Sequence, residues 1–143
     1  MVYWYQPPSA TVRIQAYDGT NWQNVRLDDD KHLYIRFGCW SGSYSGTTTD
    51  NWVNAVDWTD AKKFLHKTIL IKNTGDTNSM DYKVLVYVVD GGLSYEETSG
   101  TLGPGDIVKI TLNNWYSRVV IQVKSSTAGA STTYQIDIGG IKG

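Results

Sequence analysis

The chain has 143 residues, of which 41% are hydrophobic and 19% charged, with a formal net charge of -1. That length can bury one sizeable core without a disulfide or metal to hold it. The near-neutral balance offers no positive field to collect a polyanion, so no nucleic acid is expected as a partner.

The lone cysteine, Cys39, has no partner for an intramolecular disulfide and no companion for a thiolate metal site. Nowhere do about 18 uncharged apolar residues run together, and the opening MVYWYQPPSA lacks the basic and apolar regions of a secretion signal. The expectation is a soluble protein with no membrane partner, synthesised in a cytoplasm.

Residues 1–11 read as an extended N-terminal arm. Val2, Tyr3, Trp4 and Tyr5 are followed by Gln6, Pro7 and Pro8, and paired prolines favour a polyproline-like path without ladder donors. An arm so apolar is expected to pack on its own domain or on a neighbouring subunit. Residues 12–143 then read as a single all-β domain, an antiparallel β-sandwich of jelly-roll type. Its first strands are expected at Val12 to Tyr17, Trp22 to Leu27 and His32 to Phe37, joined by Asp18-Gly19-Thr20-Asn21 and by Asp28-Asp29-Asp30-Lys31.

The stretch Gly38 to Asn51, GCWSGSYSGTTTDN, is rich in Gly, Ser and Thr and reads as a long functional or interface loop. Trp52 to Trp58 fits an edge strand or a short helical turn. Six further strands follow at Lys62 to Asn73, Asp81 to Asp90, Leu93 to Leu102, Ile107 to Leu112, Trp115 to Lys124 and Thr132 to Ile138. Glycine-bearing turns punctuate them, and apolar residues alternate along them, as Val119, Ile121 and Val123 do against Val120, Gln122 and Lys124. Nothing supplies the crossover helices of a parallel sheet.

No catalytic constellation, cofactor site or metal site is expected. The histidines, His32 and His66, sit in no ligand pattern. Gly42-Ser43-Tyr44-Ser45-Gly46 matches a nucleophile elbow in letters but lacks the strand-turn-helix setting that gives that motif its chemistry. Asp28 to Asp30 lack the alternate ligands of a calcium loop and read as a solvated turn. Glu96 and Glu97, adjacent on a strand, point to opposite faces and cannot work one substrate together.

The six tryptophans matter more. Trp22 and Trp115 start strands beside apolar partners and read as core, whereas Trp40, Tyr44 and Trp52 fall in the polar loop region and are the candidates for exposure. Two uses compete for them: contact with other protein subunits, and stacking against a saccharide as in a carbohydrate-binding module. Subunit contact is the commoner use. The expected protein interface is therefore Val2, Tyr3, Trp4, Tyr5, Pro7, Pro8, Trp40, Tyr44 and Trp52.

The run AYDGTNWQNVRLDDDKHLYI, Ala16 to Ile35, resembles an opening found in virion proteins of tailed phages. FLHKTILIKNTGDTNSMDYKVLVYVVDGG, SGTLGPGDIVKITL and VVIQVKSSTAGASTTYQIDIGGIKG resemble the sandwich half of similar proteins. The small all-β chain with an aromatic arm is most similar to a capsid decoration protein. That resemblance implies a homo-oligomer, most often a trimer, that binds the major capsid protein on the outer surface of the virion and stabilises the expanded shell. A tail or baseplate protein is the neighbouring alternative, and a carbohydrate-binding or host-recognition module the alternative from another class.

Overall fold

The computed structural model describes residues 38–142, together with the backbone of two short strands, β1 (Gln15–Tyr17) and β2 (Trp22–Asn24). The chain divides into two compact units, Met1–Arg36 and Phe37–Gly143. In the first, β1 pairs antiparallel with β2, Tyr17 opposite Trp22, so a hairpin stands where Asp18 to Asn21 predict its turn. The arm residues Val2, Tyr3, Trp4, Tyr5, Pro7 and Pro8, the Asp28 to Asp30 turn and the strand expected at His32 to Phe37 lie outside the described residues.

The second unit holds eight strands: β3 (Cys39–Thr47), β4 (Val53–Trp58), β5 (Phe64–Asn73), β6 (Met80–Tyr87), β7 (Ser94–Leu102), β8 (Ile107–Leu112), β9 (Arg118–Ser125) and β10 (Thr133–Lys142). They form two four-stranded sheets, ordered β3-β10-β5-β8 and β4-β9-β6-β7, every pairing antiparallel. First pairs with last, second with seventh, third with sixth and fourth with fifth. A chain folded back on itself once and then rolled up gives this nesting, which is the jelly roll, and the fold is an all-β antiparallel sandwich of that type.

Period-two alternation drives the burial. Met80, Tyr82, Val84 and Val86 of β6 meet Val119, Ile121 and Val123 of β9 and, from the other sheet, Ile69 and Ile71 of β5 and Ile136 and Ile138 of β10 in one core. Each such aliphatic side chain contributes about 1.5–3 kcal/mol by leaving water. Gly91 and Gly105 take positive φ, 74° and 78°, in the turns after β6 and β7, where a side chain would be strained although the space around them is open.

Two expectations are corrected. The stretch Gly38 to Asn51 is largely strand β3, because an edge strand facing solvent on one side tolerates Ser and Gly and needs few apolar residues. Trp115 is not core: it lies in the β8–β9 connection and is half exposed. The undecided stretch Trp52 to Trp58 is edge strand β4 from Val53 onward.

The two ends of the sandwich differ. At one end, the connections at residues 48–52, 74–79, 103–106 and 126–132 are knitted by polar bonds. Thr48 N donates to Thr132 O at 2.8 Å, Asn78 Nδ2 to Ser131 O at 2.9 Å and Gly129 N to Asp50 Oδ1 at 2.8 Å. The other end carries the connections at residues 59–63, 88–93 and 113–117, and with them most of the exposed large apolar side chains, including Leu65, Val88, Val89, Leu93, Trp115 and Ile141.

Candidate functional site

Strand β3 sends Trp40, Gly42, Tyr44 and Gly46 inward, opposite Gly140, Ile138, Ile136 and Tyr134 of β10. A Cβ at Gly42 would lie 3.1 Å from the Trp40 ring and 3.3 Å from the Tyr44 ring, so both rings rest against the glycine that separates them. Gly140 makes the matching concession on β10. A Cβ there would lie 2.7 Å from Phe64, and its absence lets Phe64 enter beneath Trp40. Trp40, Trp58 and Phe64 form a tilted cluster with ring centroids 5.3–5.8 Å apart, a favourable spacing for aromatic pairs.

Beside this cluster opens a cleft of about 270 Å³ walled by Trp40, Tyr44, Trp58 and Phe64 and rimmed by Asp57, Asp60, Lys63 and Lys142. The rim charges are largely paired. Arg118 grips Asp57 with two bonds, 2.7 Å from Nε and 2.5 Å from Nη2, and hydrogen bonding to that carboxylate holds the guanidinium above its ordinary pKa. Lys63 lies 3.1 Å from Asp60. Aromatic walls with a neutralised rim suit the apolar side chains of a partner protein or the face of a neutral ring.

Trp52 stands apart from that cleft. Its ring lies under two ammonium groups, Lys83 Nζ at 4.4 Å and Lys124 Nζ at 5.2 Å, against the solvent face of the β4-β9-β6-β7 sheet. Lys124 also faces Asp81 at 3.6 Å. Burial pushes the Asp81 carboxyl up, but bonds from Ser126 and Thr101 and the charge of Lys124 outweigh it and hold it below the ordinary range. Of the expected interface residues, Trp40 and Tyr44 therefore share one site and Trp52 does not join them. The letters of the nucleophile elbow fall on β3, where Ser43 Oγ donates to Asp137 Oδ1 at 2.5 Å on the outer face and keeps that carboxyl below its ordinary pKa.

Val88, Val89 and Leu93, expected in strands, lie instead in the β6–β7 connection. Leu93 is 95% exposed, Tyr95 69%, Val89 67%, Val88 62% and Trp115 51%. The signal was present: three aliphatic residues flank Asp90-Gly91-Gly92, a turn where polar side chains are the norm.

No family model matches the chain, and no curated protein does. Solved structures are similar in fold. A pilus protein of Bacillus endospore appendages superposes with a TM-score of 0.52 at 8% identity, covering 75% of this chain and 89% of its own. The mitogen of Yersinia pseudotuberculosis gives 0.50 at 15% identity over 68% of this chain and 83% of its own. The SPBc2 prophage-derived protein YomS gives 0.50 at 13% identity over 76% of this chain and 99% of its own. At these identities the likeness is one of fold.

Proposed function

We propose that this chain is a structural protein of a virus particle, a decoration protein that binds the major capsid protein on the outer surface of the expanded shell as a homotrimer. The observation that carries the reading is the inequality of the two ends: one is closed by hydrogen-bonded polar loops, while the other concentrates exposed apolar and aromatic side chains on a rigid sandwich. The phage-like runs and the fold shared with a prophage-derived protein agree with it. Function on this reading is burial and multivalency without turnover, since each subunit already held on the shell raises the effective concentration for the next contact.

Purified protein added to expanded capsids should raise their melting temperature in step with occupancy. Tyr44→Ala, which removes an exposed wall of the cleft, should weaken shell binding at least tenfold, whereas Asp76→Ala at the polar end should leave it unchanged. Wild-type protein that binds isolated tails and ignores expanded shells would replace the decoration reading with the tail one.

A further inference from the structure

We propose that the β6–β7 hairpin tip, with Trp115 beside it, is the surface through which copies of this chain associate with one another. The proposal deepens the reading above, resting on it for which end does the binding, and assigns this part of that end to self-association.

The tip is a built surface. Gly92 N donates to Val89 O at 2.9 Å to close the turn, and Ser117 anchors it, its N donating to Tyr87 O at 2.8 Å and its Oγ to the same carbonyl at 3.1 Å. The second anchor places the Trp115 connection alongside the hairpin. Tyr116, buried next to Trp115, donates its hydroxyl to Glu97 at 3.1 Å, so the connection is held from both sides.

The occupant follows from area and charge. At their exposures, Val88, Val89, Leu93, Tyr95 and Trp115 together put several hundred square ångströms of apolar surface in water at this end of the sandwich, the scale on which surface patches are often functional. That is a large part of the roughly 800 Å² that each partner contributes to a standard interface. At the three-fold axis of a homotrimer the same side chains of every copy converge, so an unbalanced charge there would repel its own copies. Asp90 is the single charged residue of residues 88–95, residues 113–117 carry none, and Arg118, whose Nε and Nη2 hold Asp57, places its Nη1 3.6 Å from Asp90. The tip is thus apolar with one partly offset charge, which suits convergence with copies of itself.

Sedimentation equilibrium of the full chain at micromolar concentration tests this. The wild type should be oligomeric, and Leu93→Asp or Val89→Asp should weaken self-association at least tenfold; at positions this exposed, the unfolding midpoint should hold. A monomeric wild type overturns the proposal, as does an oligomer indifferent to both substitutions. Shell binding is scored separately: an oligomer that dissociates on Leu93→Asp supports this surface even where expanded shells take up none of the protein, and that second result counts against the decoration reading alone.

Discussion

Lys67 Nζ donates to the Asn114 carbonyl at 3.0 Å from the inward face of β5, where the lysine is fully buried. The ammonium also lies 5.7 Å from the centre of the Tyr116 ring. A buried cation held by a carbonyl and a ring, with no carboxylate within salt-bridge distance among the described residues, carries a desolvation cost that these contacts only partly offset.

Lys67→Met keeps the stem and removes the charge. It should leave stability at pH 7 between unchanged and about 2 kcal/mol higher, while Lys67→Ala, which empties the stem's space, should cost about 2–4 kcal/mol. Burial holds the Lys67 pKa below its ordinary 10.5. Between the lowered and the ordinary value the unfolded chain binds more protons than the folded one, so wild-type stability should rise with pH across that window and the Met variant should lack this component. Urea titrations at several alkaline pH values decide it, and a wild type that loses stability relative to Lys67→Met on going alkaline would contradict the account.

Asn73 supports the opposite end. Its Nδ2 donates to Asn78 O at 2.8 Å and Leu102 O at 3.1 Å, and its Oδ1 accepts from Gly75 N at 3.1 Å and Thr132 Oγ1 at 2.8 Å. Asn73→Ala strands these partners inside the fold and should cost about 2–4 kcal/mol. Because that end is proposed to be structural, folded variant protein should keep its self-association and any shell binding. A loss below about 1 kcal/mol in chemical denaturation would mean that water replaces the side chain at little cost.

Much of the sandwich is legible because its strands alternate cleanly, as edge strand Ile107–Leu112 shows, where the expected and observed bounds coincide. Strand β3 is not, although Trp40, Gly42, Tyr44 and Gly46 alternate with Cys39, Ser41, Ser43 and Ser45. Its glycines read as loop, yet they are there because rings lie over them: a Cβ at Gly46 would meet the Tyr134 hydroxyl. The last strand likewise runs past its expected end at Ile138 to Lys142, because Gly139-Gly140 reads as a terminus while Gly140 in fact admits Phe64. Lys67 and the tip were illegible for another reason. Burial of a charge and exposure of aliphatics are decided by tertiary placement, against residue preference.

Gly140→Ala follows from that packing. The added methyl meets Phe64 and should cost about 1–3 kcal/mol while shifting tryptophan fluorescence through the Trp40–Trp58–Phe64 cluster. Combining it with Phe64→Leu should recover part of the loss, because the two sites share one space and their effects cannot add. Strict additivity in a double-mutant cycle would rule out the steric explanation.

The cleft also separates subunit contact from saccharide recognition, and the structure dictates which residues make the test. Trp52 lies between two lysines away from the cleft, so pairing it with Trp40 would mix two surfaces; Trp40 and Tyr44 are the pair to change. One Trp40 face is already committed to Trp58 and Phe64, and the rim carboxylate best placed to hold hydroxyl groups, Asp57, is taken by Arg118. A sugar would have to stack on what remains and take its polar contacts from a rim whose carboxylates are already paired. Calorimetric titration and glycan arrays with the wild type should therefore show no specific saccharide binding. Binding that Trp40→Ala and Tyr44→Ala each abolish, and Trp52→Ala leaves intact, would make this chain a carbohydrate-recognition module, with the exposed rings serving a ligand in place of a neighbouring subunit.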